Sequence, residues 1–135
     1  MKSTSVFIFS FFALSVLSIG LMAQPTENNF IEIEKALKTG DLETLSIFFS
    51  DTVDIDILGA TNICSKNQAK QILKNFFVKY TPKNFTFIHQ SGNSNVQYGI
   101  GLLIAGGESF RITIFIQNIE NKRCVQQIRI EKTKN

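Results

Sequence analysis

The chain has no tryptophan, one histidine (His89), two cysteines and two prolines in 135 residues. A lone histidine, and two cysteines that form no Cys-x-x-Cys pair, exclude a structural zinc site. Eight glycines without a period exclude a collagen-like chain. Charged residues are only 19% of the total and the net charge is +3, so no single-signed tail is present. Internal repeats, low-complexity tracts and linkers are missing too. The length supports one modest core, which excludes a multidomain enzyme. What is abundant is apolar surface: 44% of the residues are hydrophobic and thirteen are phenylalanine. That is enough to offset the ordering entropy that keeps polar chains disordered.

The first residues read as an address. Met1-Lys2-Ser3-Thr4-Ser5 is a short basic start, Val6 to Leu21 is an uncharged, mostly apolar run, and Leu21-Met22-Ala23 ends in a small residue before Gln24-Pro25. This pattern predicts a signal peptide over residues 1–23 and a single domain over 24–135. The run of 16 residues is short of the ~20 that a spanning helix needs. The expected product is exported, periplasmic or extracellular, with no stable membrane anchor after cleavage. No cysteine follows the run, so lipoprotein processing has no acceptor thiol. Removing 23 residues leaves 112 and lowers the net charge to +2, because Lys2 goes with them. The best basic row, Lys66, Lys70 and Lys74, is spaced as the solvated side of an amphipathic helix, and no nucleic-acid partner is expected. Export permits a Cys64–Cys124 disulfide, closing a loop of about 60 residues and worth ~4 kcal/mol in the chain-entropy model. Two buried thiols are the other reading, and the sequence leaves both open.

Periodicity then divides the chain. Phe30, Ile33 and Leu37 recur at helical spacing, with Gly40 as a stop. Asp41 can cap a second helix bearing Leu42, Leu45, Phe48 and Phe49. Val53-Asp54-Ile55-Asp56-Ile57 alternates as a strand, with both aspartates opposite the buried side. Gly59 to Cys64 reads as a loop. Ser65-Lys66-Asn67-Gln68 matches a capping box and opens a third helix. Its stripe is Ala69, Ile72, Leu73, Phe76, Phe77 and Tyr80, and Thr81-Pro82 ends it. Strands follow from Phe85, from Val96, over Phe110–Gln117 and over Arg123–Glu131, with Gly106-Gly107 as a hairpin signal. The predicted order α-α-β-α-β-β-β-β means an α+β fold with a mostly antiparallel sheet.

Gly40 to Asp51, followed at once by an alternating strand, resembles the opening of the nuclear-transport-factor-2-like superfamily, often called cystatin-like. Phe85 through Gly92, Tyr98-Gly99-Ile100-Gly101, Phe110-Arg111 and Gln126 to Glu131 resemble a family of short exported bacterial proteins known only as a domain of unknown function. The resemblance implies a cone: a strongly curved sheet wrapped around the long helix, with an open end lined by side chains. It implies no single activity, since the superfamily holds isomerases, dehydratases, transport factors and plain binding modules.

Three groups are candidates for chemistry. Asp56 lies near where steroid-isomerase-like members carry a carboxylate base, but residues 26–39 hold no tyrosine to serve as the oxyanion donor. In a regular strand His89 shares a face with Phe85 and Phe87, where an imidazole could act as acid or base, with Tyr98 nearby. Arg111, Gln127 and Arg129 on the last strands can form a polar patch for an anionic ligand; a solvated face with Arg111 paired to Glu131 is the plainer reading. Gly99 and Gly101 on one face predict strand curvature. Phe115, with Leu103 and Val125, is expected on the outer face, where a second copy would cover it. No complete acid–base–oxyanion set is present, and no cofactor or metal is expected. The residues favour a non-catalytic exported binding or accessory module with a small-molecule or protein ligand. The alternative is a small lyase or isomerase acting on a hydrophobic molecule through Asp56 and His89. A cystatin-type inhibitor is set aside, because Val96-Gln97-Tyr98-Gly99 departs from the Gln-x-Val-x-Gly loop.

Overall fold

A computed structural model describes residues 29–134 of the protein. The signal peptide expected over residues 1–23 lies outside the described residues. Three helices and six strands follow one another. They are α1 (Asn29–Thr39), α2 (Leu42–Ile47), β1 (Phe49–Ile57), β2 (Ala60–Ser65), α3 (Lys66–Lys79), β3 (Pro82–Gly92), β4 (Val96–Ala105), β5 (Glu108–Ile119) and β6 (Lys122–Lys132). The strands form one curved sheet in the order β2-β1-β6-β5-β4-β3. Every neighbouring pair is antiparallel except β1 with β6, which is parallel.

Local chemistry sets the helix ends. Asp41 caps α2: its carboxylate accepts from the Thr44 backbone N–H at 3.1 Å and from the Thr44 hydroxyl at 2.6 Å. Ser65 and Gln68 form the expected capping box on α3, with each side chain taking the other's backbone N–H. Two positions differ from the sequence reading. Helix α2 stops at Ile47, so Phe49 starts a strand rather than extending the helical face. Residues 60–65 are a strand, not a loop, so the order becomes α-α-β-β-α-β-β-β-β. The turn into that strand is Leu58-Gly59, both at positive φ, and leucine is an uncommon residue there. Asp56 supports it: its Oδ1 accepts from the Gly59 N–H at 3.1 Å, and the Leu58 N–H reaches Ile130 O at 2.9 Å.

The concave face holds the core. Val53, Ile55, Ile112, Ile114, Ile128 and Ile130 are fully buried there. Leu103 and Val125 are fully buried as well, which corrects their expected place on the outer face. Helix α3 lays Ala69, Leu73, Phe76 and Phe77 into this core. Aromatic rings pack in two groups. Phe76, Tyr80 and Phe110 meet one another with centroids 4.8–5.2 Å apart, and Phe85, Phe87 and Phe30 make a second chain of edge-on contacts at 4.9 and 5.1 Å. Gly99 and Gly101 make the second chain fit. A Cβ on Gly101 would lie 2.2 Å from the Phe85 ring, and one on Gly99 would lie 2.7 Å from both Phe30 and Phe87. The missing side chains of β4 are therefore room for rings from β3 and α1.

Two outcomes follow. Gly101→Ala must push the Phe85 ring from its seat, an overpacking cost of about 1–3 kcal/mol. Urea unfolding should show that loss, and Gly101→Ala should cost far less in a Phe85→Leu background. Thr44, through its hydroxyl and then its backbone N–H, holds the Asp41 carboxyl below its ordinary pKa. A carboxyl lowered by folding stabilises fully above the ordinary carboxylate range and loses that contribution as pH falls through its folded value. Asp41→Ala should therefore destabilise the protein at neutral pH and flatten the acid limb of its Tm-versus-pH curve.

Candidate functional site

Strand register decides which candidate residues share a surface. β3 carries one extra residue: Phe87 pairs with Gly101 but His89 pairs with Ile100, so the bulge falls at Ile88. The bulge puts His89 on the outer, convex face, exposed, and corrects the expectation that it lies beside Phe85 and Phe87 on one face. Its ring sits 5.7 Å from Tyr98, with Tyr98 Oη 3.4 Å from His89 Nε2. The outer face then reads in cross-strand rows. One runs Thr61, Asp56, Arg129, Thr113, Ile100, His89. The next runs Ile63, Asp54, Gln127, Phe115, Tyr98, Ser91. Asp56 and His89 thus share a row but stand four strand spacings apart, roughly 19 Å along the sheet. They form no acid–base pair.

The expected anion patch is internally compensated. Arg111 grips Glu131 with Nε at 3.2 Å and Nη2 at 2.8 Å. Arg129 Nε lies 3.5 Å from Asp56 Oδ2, and Gln127 Nε2 donates to Asp54 Oδ2 at 3.1 Å. Arg111, Gln127 and Arg129 therefore share one face as the sequence proposed, and each already meets a carboxylate. Asp56 is spent twice, on Arg129 and on the turn, with its side chain only 16% exposed. Sequence reasoning missed Asp54 as a member of this group. Its signal was present in the period-2 match of Asp54-x-Asp56 to Gln127-x-Arg129, but reading it required knowing that β1 and β6 are neighbours. Asp54 Oδ1 is a buried acceptor with no donor among the described residues. Toward β4 these same rows turn apolar: Phe115, Tyr98 and Ile100 are half-buried, and Leu102 in the neighbouring row is 38% exposed.

Cys64 and Cys124 are free thiols, and the Cys64–Cys124 bridge is not formed. Cys64 pairs with Val53 of β1, whereas Cys124 precedes Val125, the partner of Phe49 four residues earlier on β1. That stagger is roughly 13 Å along the strand, well beyond the reach of a disulfide. Burial, and then the charge of Asp54, push the Cys64 thiol above its ordinary pKa. Among the described residues no cluster of His, Cys, Asp and Glu could hold a metal ion, and no helix is long and apolar enough to cross a membrane. Asp56, His89 and Tyr98 line none of three surface clefts, one between β2 and α3, one beside Phe49 and Cys124, and one between α2 and α3.

A long helix held in a curved, mostly antiparallel sheet defines the cystatin-like, nuclear-transport-factor-2-like class of α+β proteins. Within that class the chain belongs to the family described as "Domain of unknown function (DUF4783)", which matches residues 30–131. A DUF4783 family protein from Bacteroides uniformis is 28% identical, with a TM-score of 0.75, covering 78% of this chain and 97% of that one. A cystatin-like domain of unknown function from Nostoc punctiforme shares the fold at 12% identity and a TM-score of 0.63, covering 78% and 74%. A putative ketosteroid isomerase from Kribbella flavida does so at 10% identity and 0.57, covering 78% and 76%. No protein of curated function matches.

The raised Cys64 pKa keeps its thiolate scarce. Alkylation by iodoacetamide at pH 8 should run slower than for a free cysteine, and Asp54→Asn should speed it. Equal rates in the parent and Asp54→Asn proteins would show that the carboxylate does not act on the thiol.

Proposed function

We propose that the protein is an exported, non-catalytic binding module that works through the outer face of its sheet. The observation that carries this reading is the aromatic filling of the concave face. Phe30, Phe85 and Phe87 pack ring on ring in one group, and Phe76, Tyr80 and Phe110 in another. Asp56 is committed to a turn and an ion pair, and His89 is exposed on the far strand. Both belong to a surface, not to an enclosed pocket of the kind that small-molecule enzymes use. The outer face joins an apolar strip, Phe115-Tyr98-Ile100-Leu102, to a rim of compensated charges. That division into apolar centre and polar border is the anatomy of protein interfaces. Export rests on the basic start and on the apolar run from Val6 to Leu21.

Two measurements test this. A thermal-shift panel of acidic and steroid-like compounds should give no saturable stabilisation. Turnover that is lost in Asp56→Asn or His89→Gln would establish the lyase or isomerase instead, and a saturable shift without turnover would replace the outer face with a small-molecule site. A photo-crosslinking residue at Phe115 should give a discrete adduct in the producing cell, while the same residue at Val78, exposed on α3, should not. Equal labelling at both positions would remove the outer face as the contact surface.

A further inference from the structure

The two edges of the sheet are protected unequally. The β3 edge begins at Pro82, carries Lys83 and bulges at Ile88. Helix α1 is packed against it, and Glu34 Oε2 accepts the Phe87 N–H at 3.0 Å. These are the devices by which proteins keep an edge from pairing with another chain. The β2 edge has none of them. Ala60-Thr61-Asn62-Ile63-Cys64-Ser65 is short but uncharged, free of proline and unbulged, and its Ile63 is 75% exposed.

Hydrogen-bond phase fixes what this edge offers. The two-residue turn Leu58-Gly59 is closed by the pair Ile57 and Ala60, which in such hairpins exchanges both backbone bonds. Asn62 and Cys64 then bond inward to Ile55 and Val53, while Thr61, Ile63 and Ser65 point their backbone groups outward. The Ser65 N–H is already taken by Gln68 Oε1 at 3.2 Å. Two residues, Thr61 and Ile63, are left with both groups facing outward.

We propose that β2 pairs antiparallel with β2 of a second copy about a two-fold axis through Asn62, joining two six-stranded sheets into one. In that register Thr61 faces the partner's Ile63, and Ile63 faces the partner's Thr61. All outward groups of both residues are satisfied, as a self-complementary two-fold contact requires. An axis through Ile63 would set Thr61 against the partner's Ser65, whose N–H is occupied. An axis through Thr61 would set Ile63 against the partner's Gly59, which sits in the turn at φ +90°. The flanking helix agrees. Its side toward β2 carries Gln68, Gln71 and Ile72, which with Asn62, Ile63 and Cys64 line an uncharged cleft of about 280 Å³. Lys66, Lys70 and Lys74 lie on the other flank, where Lys70 Nζ reaches Glu43 at 2.9 Å. Two copies can therefore approach across β2 without bringing like charges together, which favours a second copy over a charged partner. The contact leaves the outer faces of both sheets on one side and uncovered.

Light scattering on residues 24–135, which contain every described element, should give twice the mass of one chain. Ile63→Pro deletes an N–H that faces away from β1 and has no partner among the described residues, so it should leave the circular-dichroism spectrum unchanged and halve the mass. Ile63→Lys should do the same and serves if the proline variant misfolds. The Asn62 pair would be a close, non-hydrogen-bonded one with Cα atoms about 4.5 Å apart, within disulfide range. Asn62→Cys in a Cys64→Ser background should therefore form a covalent dimer on mild oxidation. A monomer at millimolar concentration, or a dimer whose mass Ile63→Pro and Ile63→Lys leave unchanged, overturns the proposal.

Discussion

The fit of aromatic rings against two glycines on β4 governs the rest of the molecule. A curved sheet has a concave face too crowded for large side chains on every strand. Gly99 and Gly101 yield their positions, and Phe85, Phe87 and Phe30 take the room. The exchange seats α1 on β3 and brings Glu34 within reach of the Phe87 N–H. It also seats these rings on the concave side, while the convex side carries the polar and apolar rows.

The convex side shows how a charged surface can be unsuited to anions. Arg111, Gln127 and Arg129 look basic and polar in isolation, yet each has an acidic neighbour in its own row or beside it. Exposed pairs of this kind contribute little to stability. Their effect is to cancel the local field. Asp56 illustrates the limit of analogy with catalytic members of the fold class, since here the carboxylate holds a strained Leu58-Gly59 turn.

Much of the architecture was legible because it rests on local signals. Asp41 and the Ser65/Gln68 box announced two helix starts, the stripe of α3 named its buried face, and Gly106-Gly107 marked a hairpin. What escaped notice had no local signal. β2 alternates nothing, because only Cys64 within it is even half-buried. The bulge at Ile88 is a one-residue register change, and it moved His89 from one face to the other. The parallel contact of β1 with β6 is a long-range fact, and without it Asp54 and Asp56 could not be matched to Gln127 and Arg129. The candidate site was thus readable as a list of residues but not as an arrangement.

That parallel contact has a consequence for how the chain comes together. Ile55 and Ile128, neighbours across β1 and β6, are 73 residues apart in sequence. The ribosome completes β1 long before its neighbour exists, and until then β1 can hold only the β2 hairpin. Closing so large a loop carries an entropic cost that local pairings do not. Assembly of the sheet therefore waits for β6, the keystone that locks β1 into place. A chain cut short there would keep its hairpins and its helix caps, yet lose the seam that makes one sheet of them.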